Sequence, residues 1–502
     1  MDRRDLSMAL IASATGSALL SSRASAQSCT APCFAQTPAE LALGVVPTNL
    51  TVASHLTTGE VYPQRYGAKF DGATNPTGDD TAALNTAFNV AVQAGCQVVM
   101  PGGTALISST LFFGNNRTAQ NVQSAAPTGI RGSYSATVLK AKAGFAGTLF
   151  SATNMAGVFM RDFVVDGSGS ASVCIDTSWP NTLGTTALNI YEGIIVQNFL
   201  TNGWLAINDN QSKFKDITAR GAANFGLSGV RIEGSGGSVF LDGVTVGDSF
   251  LSICCQSAEI HGGFCFGIRL NESQSGVNYL NFSGGTQIYC NPVRQSHFYD
   301  ANPSLHYIGA LTAEGLYLLA NSGSSATNTF NCGFGGKVTF TGCAFISGSS
   351  TGTWNLYGAG ATAIVTPIPV ELNGCAINGV TINTPAGFIT QRRDVQTGSS
   401  GVVSDYPMRT VYRNTYALPT GLPGNTFMNV IPASAMAEQG GYLLVILANN
   451  PGVDALSATA FVNSVIKNGS IGASGPIAIG TSANFSNNLT NQIAARYSVT
   501  AE

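Results

Sequence analysis

A short pattern recurs through the middle of the chain and constrains its fold more than any other feature. Each copy has a pair of residues, then Asp or Gly, then alternating apolar residues. The copies are Met160–Val165, Tyr191–Val196, Phe214–Ala219, Leu241–Val246, Ile260–Phe264, Phe340–Phe345 and Leu372–Ile377. Equivalent positions in the first five copies are separated by 31, 23, 27 and 20 residues. Such a period, built from short strands, is typical of a parallel β-solenoid, whose turns bury a shared core only when stacked.

The composition agrees with an all-β protein and excludes several classes. Only 10% of the 502 residues are charged, whereas long helices need many Glu, Lys and Arg residues on their faces. With 44% hydrophobic residues the chain will bury surface and fold. Its net charge of −3 gives no basic face for nucleic acid. We therefore expect a folded all-β chain with no nucleic-acid partner.

The N-terminus has the features of an export signal. Arg3-Arg4 precede an apolar run, and Ala24-Ser25-Ala26 is a small-residue cleavage site. Residues 1–26 are therefore predicted to be a twin-arginine-like signal, and residues 27–58 an N-terminal tail. The apolar run is too short to span a membrane, so we expect a bacterial protein that is periplasmic or secreted, with no membrane span. In that compartment Cys29 and Cys33 are spaced to close a small disulfide loop.

A capping helix is predicted just before the repeats. Asp79-Asp80-Thr81 begins it, and Gly95 ends it. Its apolar positions fall on one face: Ala83, Leu84, Ala87, Phe88 and Ala91. A helix here would cover the open end of the solenoid, where bare strand edges would otherwise associate with other chains. The Asp residues are thus turn and cap residues.

Three segments around this helix resemble the opening of the pectate lyase-like β-helix proteins. They are Tyr66–Gly72, Asp79–Thr81 and Val98–Thr104. Within that superfamily the chain resembles the rhamnogalacturonase/epimerase-like group, which is related to polygalacturonases and phage tailspikes. The resemblance implies a right-handed parallel β-helix and a polysaccharide ligand, but no particular reaction, because this scaffold hosts many activities. The catalytic motifs of polygalacturonases are not matched by the repeats, so no site residues carry over.

The expected organisation is a β-helix with its N-terminal cap over residues 59–400 and a small C-terminal β-domain over residues 401–502. The polar run Thr397–Gly401 separates them, and strand-like runs such as Gly441–Leu447 follow it. The C-terminal domain could close the solenoid, bind sugar or mediate trimerisation, and the chain is expected to be a monomer or a homotrimer.

A polar position recurs where the strand after each turn ends. Aligning five strands by their apolar positions gives the series Asp176, Asn208, Glu233, Gln256 and Asn271. Asp209 lies beside this series, and Arg231 and Arg269 stand two residues earlier on the same outer face. One interpretation is a polar ladder that ends the strands. The other is a catalytic groove.

In a groove, the spacing of the rungs places carboxyl groups at distances that glycosidases use. At about 4.8 Å per rung, Asp176 and Glu233 would be roughly 9.6 Å apart, and Asp209 and Glu233 one rung apart. Inverting enzymes use about 6.5–9.5 Å and retaining enzymes about 5–5.5 Å. Glu233 is therefore predicted to act as the acid, with Asp176 or Asp209 as base or nucleophile.

Four residues are predicted to contact the substrate. Arg231 and Arg269 would hold an acidic sugar. Trp204 follows a strand and could stack on a pyranose or pack in the core, and His261 at a strand start is a weaker candidate.

Two functions remain open at this stage. The first is an exported enzyme that cleaves a polysaccharide, with glycoside hydrolase favoured over lyase because no dense acidic cluster for calcium is present. The second is a non-catalytic polysaccharide-binding or tailspike-like adhesive solenoid. No metal site or cofactor is expected, although a lyase could use calcium.

Overall fold

The computed structural model describes residues 33–114, 128–179, 188–234, 238–270, 276–300, 307–319, 329–334, 336–346, 352–355, 368–383, 388–393, 396–397, 402–404, 439–447, 458–467, 477–478 and 494–495. The predicted export signal at residues 1–26 lies outside the described residues.

Three long sheets carry the fold, and every strand pair within them is parallel. The fourteen-stranded sheet contains Glu60–Val61, Gln97–Val99, Gly129–Arg131, Phe159–Arg161, Ile190–Glu192, Lys213–Lys215, Ser238–Asp242, Ser257–His261, Gly276–Ser283, Tyr307–Glu314, Gly333–Phe334, Val338–Thr341, Ile368–Asn373 and Phe388–Arg393. The twelve-stranded sheet contains Gly103–Ile107, Thr137–Ala141, Val164–Asp166, Ile195–Gln197, Thr218–Arg220, Thr245–Val246, Phe264–Cys265, Gln287–Tyr289, Tyr317–Leu319, Ala344–Ile346, Ala376–Asn378 and Gln396–Thr397. The nine-stranded sheet contains Leu111–Phe112, Thr148–Ser151, Val173–Asp176, Asn202–Ile207, Ser228–Glu233, Phe250–Cys254, Ile268–Leu270, Ser296–Asp300 and Thr329–Asn331.

The chain visits these sheets in a fixed order, which makes each circuit one rung of a coil. From Gln97 to Asn331, each circuit adds one strand to the fourteen-stranded sheet, then one to the twelve-stranded sheet and then one to the nine-stranded sheet. Because crossovers between parallel strands are right-handed, this topology is a right-handed parallel β-helix. The fold class predicted from the repeats is confirmed.

The Asp or Gly of the repeat is the corner between the fourteen- and twelve-stranded sheets. A single residue makes this corner, and its backbone is left-handed in rung after rung. These residues are Asp162, Gly193, Asp216, Gly243, Gly262, Gly284, Gly315, Gly342 and Gly374, with φ between 50° and 66°. Gly reaches this conformation without steric cost and Asp tolerates it, so the repeat is a consequence of the corner geometry.

The core is the stack of inward side chains from all three sheets. Phe163, Ile194, Ile217 and Val244, the repeat positions just after the corner, are all buried. Cys343 and Cys375 are buried on neighbouring rungs and stack in the interior of the coil. Burial raises the pKa of most of the other described thiols, for example that of Cys265 to about 12, so these thiols are inert core groups.

The predicted capping helix is present as Thr81–Ala94 and ends at left-handed Gly95. It buries Leu84, Ala87, Phe88 and Ala91 against the first rungs. The carboxylate of Asp80 accepts hydrogen bonds from the backbone N–H groups of Lys69 and Phe70. Asp80 therefore ties the helix start to the preceding turn and makes no side-chain cap bond itself, while Asp79 accepts the backbone N–H of Thr81.

Part of the predicted N-terminal tail is ordered structure. It contains the short helices Pro38–Ala42 and His55–Thr58, and the 3-10 helices of the described residues are Pro63–Tyr66 and Tyr134–Ala136. Cys33 is disulfide-bonded, and its predicted partner Cys29 lies outside the described residues. The segment closes around an ion pair between Glu40 and Arg65, both almost completely buried.

Parallel pairing continues to Val402–Ser404 in a three-stranded sheet with Gly352–Asn355 and Val380–Asn383. Beyond it, Gln439–Leu447 pairs antiparallel with Ala458–Lys467, and Ile477–Ala478 pairs antiparallel with Ala494–Ala495. The domain boundary at residues 400/401 stays a prediction. Within the described residues, no helix is both long and apolar enough to cross a membrane.

Candidate functional site

The outer face of the nine-stranded sheet is bordered by loops. The corner between the fourteen- and twelve-stranded sheets, by contrast, is a single left-handed residue. The chain reaches this sheet through loops of varied length, and the longer ones in the described part are 142–147, 167–172, 221–227 and 290–295. The last two loops bring Phe225 and Arg294 to the edge of the sheet. Loops beside a rigid scaffold are the usual place for binding groups.

Charged side chains line the floor of this face. Arg231, Ser252 and Arg269 are aligned on three successive strands, so the two arginines lie two rungs apart, about 9.6 Å. The prediction that both arginines share one outer column is confirmed. Arg231 Nε donates to Glu233 Oε1 at 2.7 Å, and Glu233 is only 2% exposed. This charge-assisted bond holds the first guanidinium in place.

The next rung of the same column is Tyr299, which is in register with Arg269. The ring of Tyr299 stacks on Phe250 at 6.0 Å between centroids. The guanidinium carbon of the exposed Arg294 lies 5.0 Å from the centre of the Tyr299 ring, a cation–π distance. Tyr299 is therefore held between an apolar ring and a cation.

Arg269 is at the centre of this group, which we call the arginine site (Arg231, Glu233, Arg269, Arg294 and Tyr299). Burial lowers the pKa of Arg269; among its neighbours, Tyr299 and Glu233 raise it and Arg231 and Arg294 lower it. The guanidinium still stays protonated at neutral pH. Arg231 and Arg294 both lie close enough to Arg269 to affect its charge, so the three guanidinium groups together form a receptor for a carboxylate or sulfate.

The predicted register of the polar series is wrong. Asp176 is in register with Leu205 and then with Arg231, whereas Glu233 is aligned with Ile207 and Cys254. Counting from the turns misses this, because the turns differ in length; most of the offset arises where Asp176 pairs with Leu205 and not with Asn208. Asp176 and Glu233 are thus two rungs and two residues apart, roughly 12 Å, beyond the range of paired glycosidase carboxyls.

Asp209 points into the protein and does not fit the predicted role of base or nucleophile. It is 1% exposed and accepts hydrogen bonds from Asn189 Nδ2 at 2.9 Å and Tyr191 Oη at 2.7 Å, with a third from Ser212 Oγ at 2.5 Å. Burial raises the pKa of Asp209, and the hydrogen bonds partly offset this. The chain turns inward after left-handed Asn208, which the alternation of a strand could not reveal.

Replacing Asp209 by Ala is expected to cost about 3 kcal/mol of unfolding free energy, because three buried donors lose their acceptor. Urea denaturation of the variant and the parent measures this. Asp176→Ala is the control, since that partly exposed carboxylate accepts a bond only from the backbone N–H of Ser178 among the described contacts. Equal losses in the two variants would contradict the interpretation of Asp209 as a core group.

Trp204 and His261 are not part of the arginine site. Trp204 is completely buried, contacts the ring of Tyr191 at 4.8 Å and donates its indole N–H to Thr177. The stacking alternative is therefore wrong and the core alternative correct. His261 is exposed but lies on the fourteen-stranded sheet, in register with Asp242 and Ser283, so the fold separates it from both arginines.

A second concave surface lies at the one-residue corner. It encloses about 450 Å³ and is lined by Tyr134, Arg161, Asp162, Glu192, Gly193, Asp216, Thr218 and Gly243. Two ion pairs occupy it, Arg161–Asp162 at 3.7 Å and Lys215–Glu192 at 2.6 Å. We call it the corner cleft.

Across the residues that the structure describes, no three His, Cys, Asp or Glu side chains are grouped to hold a metal ion.

Sequence reasoning missed Tyr299 and Arg294. Tyr299 lies in a rung that the repeat copies do not include, because three residues, Gly284-Gly285-Thr286, separate its first two strands and the pattern is broken there. The available signal was the alternation around buried Phe298, which indicates an outward Tyr299 only once the register is known.

The fold and the arginine site define the chain as a right-handed parallel β-helix with a charged outer face, the class that the sequence resemblance implied. No family model matches the chain, and no curated protein matches it.

Similar solved structures exist. The A-module of a mannuronan C-5 epimerase from Azotobacter vinelandii is 15% identical, with 69% of this chain and 96% of that one covered and a TM-score of 0.37. Tailspike protein 2 from the Escherichia coli O157:H7 bacteriophage CAB120 is 14% identical, with 80% and 52% covered and a TM-score of 0.37. The ORF18 protein of Geobacillus virus E2 is 14% identical, with 68% and 60% covered and a TM-score of 0.31. The chain thus spans 52% to 60% of the two phage proteins, and the likeness is one of fold alone.

Proposed function

We propose that this protein acts on an acidic polysaccharide that lies along the outer face of the nine-stranded sheet. The observation that carries the proposal is the arginine site, in which Arg231, Arg269 and Tyr299 share one outer column and Arg294 lies over the Tyr299 ring. A sugar carboxylate placed there would receive charge-assisted hydrogen bonds from fixed donors. Repeating rungs at about 4.8 Å suit a repeating polymer, because successive sugars meet successive strands.

The reaction that this site supports best is β-elimination. A base removes the proton on the carbon next to the sugar carboxylate, the bond to the glycosidic oxygen breaks, and that oxygen takes up a proton. The arginines would stabilise the negative charge that develops on the carboxylate, and Tyr299 Oη would accept the proton from that carbon and pass it to the leaving oxygen. Glu233 would position Arg231; its predicted role as catalytic acid stays untested.

Hydrolysis of the glycosidic bond is a second candidate reaction. One observation favours the corner cleft as the site of this reaction. Asp162 and Asp216 occupy the same corner position two rungs apart, separated by Gly193. This gives about 9.6 Å between their positions, at the upper end of the inverting range. Gly193 lets the Asp162 carboxylate lie over its backbone, because a Cβ there would come within 2.8 Å of Asp162 Oδ1.

One assay separates these functions. Incubating the protein with alginate, polygalacturonate, hyaluronan and a neutral glucan should give ultraviolet-absorbing unsaturated ends from one of the acidic polymers. New reducing ends without that absorbance would instead favour hydrolysis, and Asp216→Asn should then abolish them. The matched control is Asp248→Asn, an exposed left-handed Asp outside the cleft.

Binding without any product would favour the alternative of an adhesive, non-catalytic solenoid. Binding to none of the acidic polymers would overturn the proposed function itself.

A further inference from the structure

Four half-buried aromatic side chains lie together where the twelve-stranded sheet turns into the nine-stranded sheet. They are Phe225, Phe264, Phe266 and Tyr289. Phe266 is central, with ring centroids 5.3 Å from Phe225 and 5.3 Å from Tyr289. We call this group the aromatic ledge. Aromatic rings left half-exposed on a surface are a common sign of a binding site.

Asn291 fixes the ledge to the arginine site. It is fully buried, and its side-chain amide donates to the carbonyls of Phe225 at 2.8 Å and Phe266 at 2.9 Å. Its carbonyl oxygen accepts from the backbone N–H groups of Val293 and Arg294, each at 3.0 Å. Both donors and both acceptor positions of this amide are thus used. The Asn291 side chain therefore fixes the position of the aromatic ledge relative to the loop that carries Arg294.

A second contact joins the two groups. Arg269 Nη1 donates to the carbonyl of Gly226 at 3.4 Å, directly after Phe225. Arg294, from the loop that Asn291 holds, covers Tyr299. The ledge is therefore continuous with the charged floor, so a ligand long enough to extend beyond the arginine site reaches the aromatic rings.

We infer that the aromatic ledge is a separate subsite that binds a further sugar of the same acidic polysaccharide through the apolar C–H surface of its ring. This inference rests on the proposed function and adds a length requirement to it. The arginine site recognises charge, and its contribution falls with salt. The ledge contributes apolar contact, which salt does not screen.

Calorimetric titration with a disaccharide and an octasaccharide of the acidic polymer that binds best tests the inference. Phe266→Ala should weaken octasaccharide binding about tenfold, as expected for a buried aromatic anchor. It should leave disaccharide binding within about twofold, because the arginine site is intact. Phe240→Ala is the matched control, since Phe240 is a half-buried phenylalanine on the fourteen-stranded sheet. It should change neither value.

The outcomes keep the two proposals apart. Equal weakening of both ligands in Phe266→Ala would overturn the ledge as a separate subsite, and so would unchanged octasaccharide binding. Disaccharide binding that survives Arg269→Gln would overturn the arginine site alone. Concentration-dependent self-association that Phe266→Ala abolishes, without any effect on octasaccharide binding, would assign the ledge to a second copy of the chain and contradict the inference.

Discussion

Replacing Arg65 by Met is expected to lower the free energy of unfolding by about 3–5 kcal/mol, because the substitution leaves a buried carboxylate without its counter-charge. Arg65 and Glu40 are 1% and 0% exposed. Arg65 Nε and Nη2 donate to the two Glu40 oxygens at 2.7 and 3.1 Å. Arg65 also donates to the carbonyls of Val52 and Ala35, so it joins three parts of the N-terminal segment.

Chemical denaturation followed by circular dichroism measures this loss. Arg131→Met is the control, because its ion pair with Glu60 is partly exposed and worth about 1 kcal/mol or less. The double variant Glu40→Leu/Arg65→Met should recover much of the loss, since it removes both buried charges. A single variant as stable as the control would contradict the assigned role.

The same pair predicts acid sensitivity. Burial alone would raise the pKa of Glu40, but hydrogen bonds from Arg65, Thr37 and Tyr66 prevail and lower it. A carboxyl whose pKa is lowered on folding stabilises the protein above the pKa of the unfolded chain. This stability is lost as the pH falls through the lower pKa of the folded state. The loss should be absent from the Glu40→Leu/Arg65→Met variant.

The sequence predicts the features that all rungs of the β-helix share, and it misses the features that occur in a single rung. The corner needs a left-handed residue in every rung, so Asp and Gly recur, and the strand after it must bury alternate side chains. These constraints mark the fold in the sequence. The cap is equally visible, because its helix obeys local rules for beginning, end and apolar face.

The arrangement of the site is less predictable for a physical reason. The loops before the nine-stranded sheet vary in length, so its register depends on contacts across rungs that no local pattern records. Arg231 and Arg269 fell into the predicted column, but Asp176 shifted by two residues relative to Glu233. Asp209 shows the same limit, because only the partners Asn189, Tyr191 and Ser212 make an inward carboxylate stable.

Removing one hydroxyl is expected to have the largest effect on activity. Tyr299→Phe should lower kcat about 10²–10⁴-fold, the usual contribution of a positioned proton-transfer group. The polysaccharide Kd should stay within about twofold, because Arg231, Arg269 and Arg294 remain and the ring still stacks on Phe250. The readouts are the initial rate of unsaturated product at saturating polymer and an independent titration of binding.

Tyr317→Phe is the control for this variant, since Tyr317 is an exposed tyrosine on the twelve-stranded sheet, away from the arginine site. It should behave as the parent in both measurements. Loss of binding and rate together in Tyr299→Phe would show that the hydroxyl holds the ligand and does not transfer the proton. An unchanged rate would remove Tyr299 from the reaction and, with Arg269→Gln also fully active, would place the chemistry away from the nine-stranded sheet.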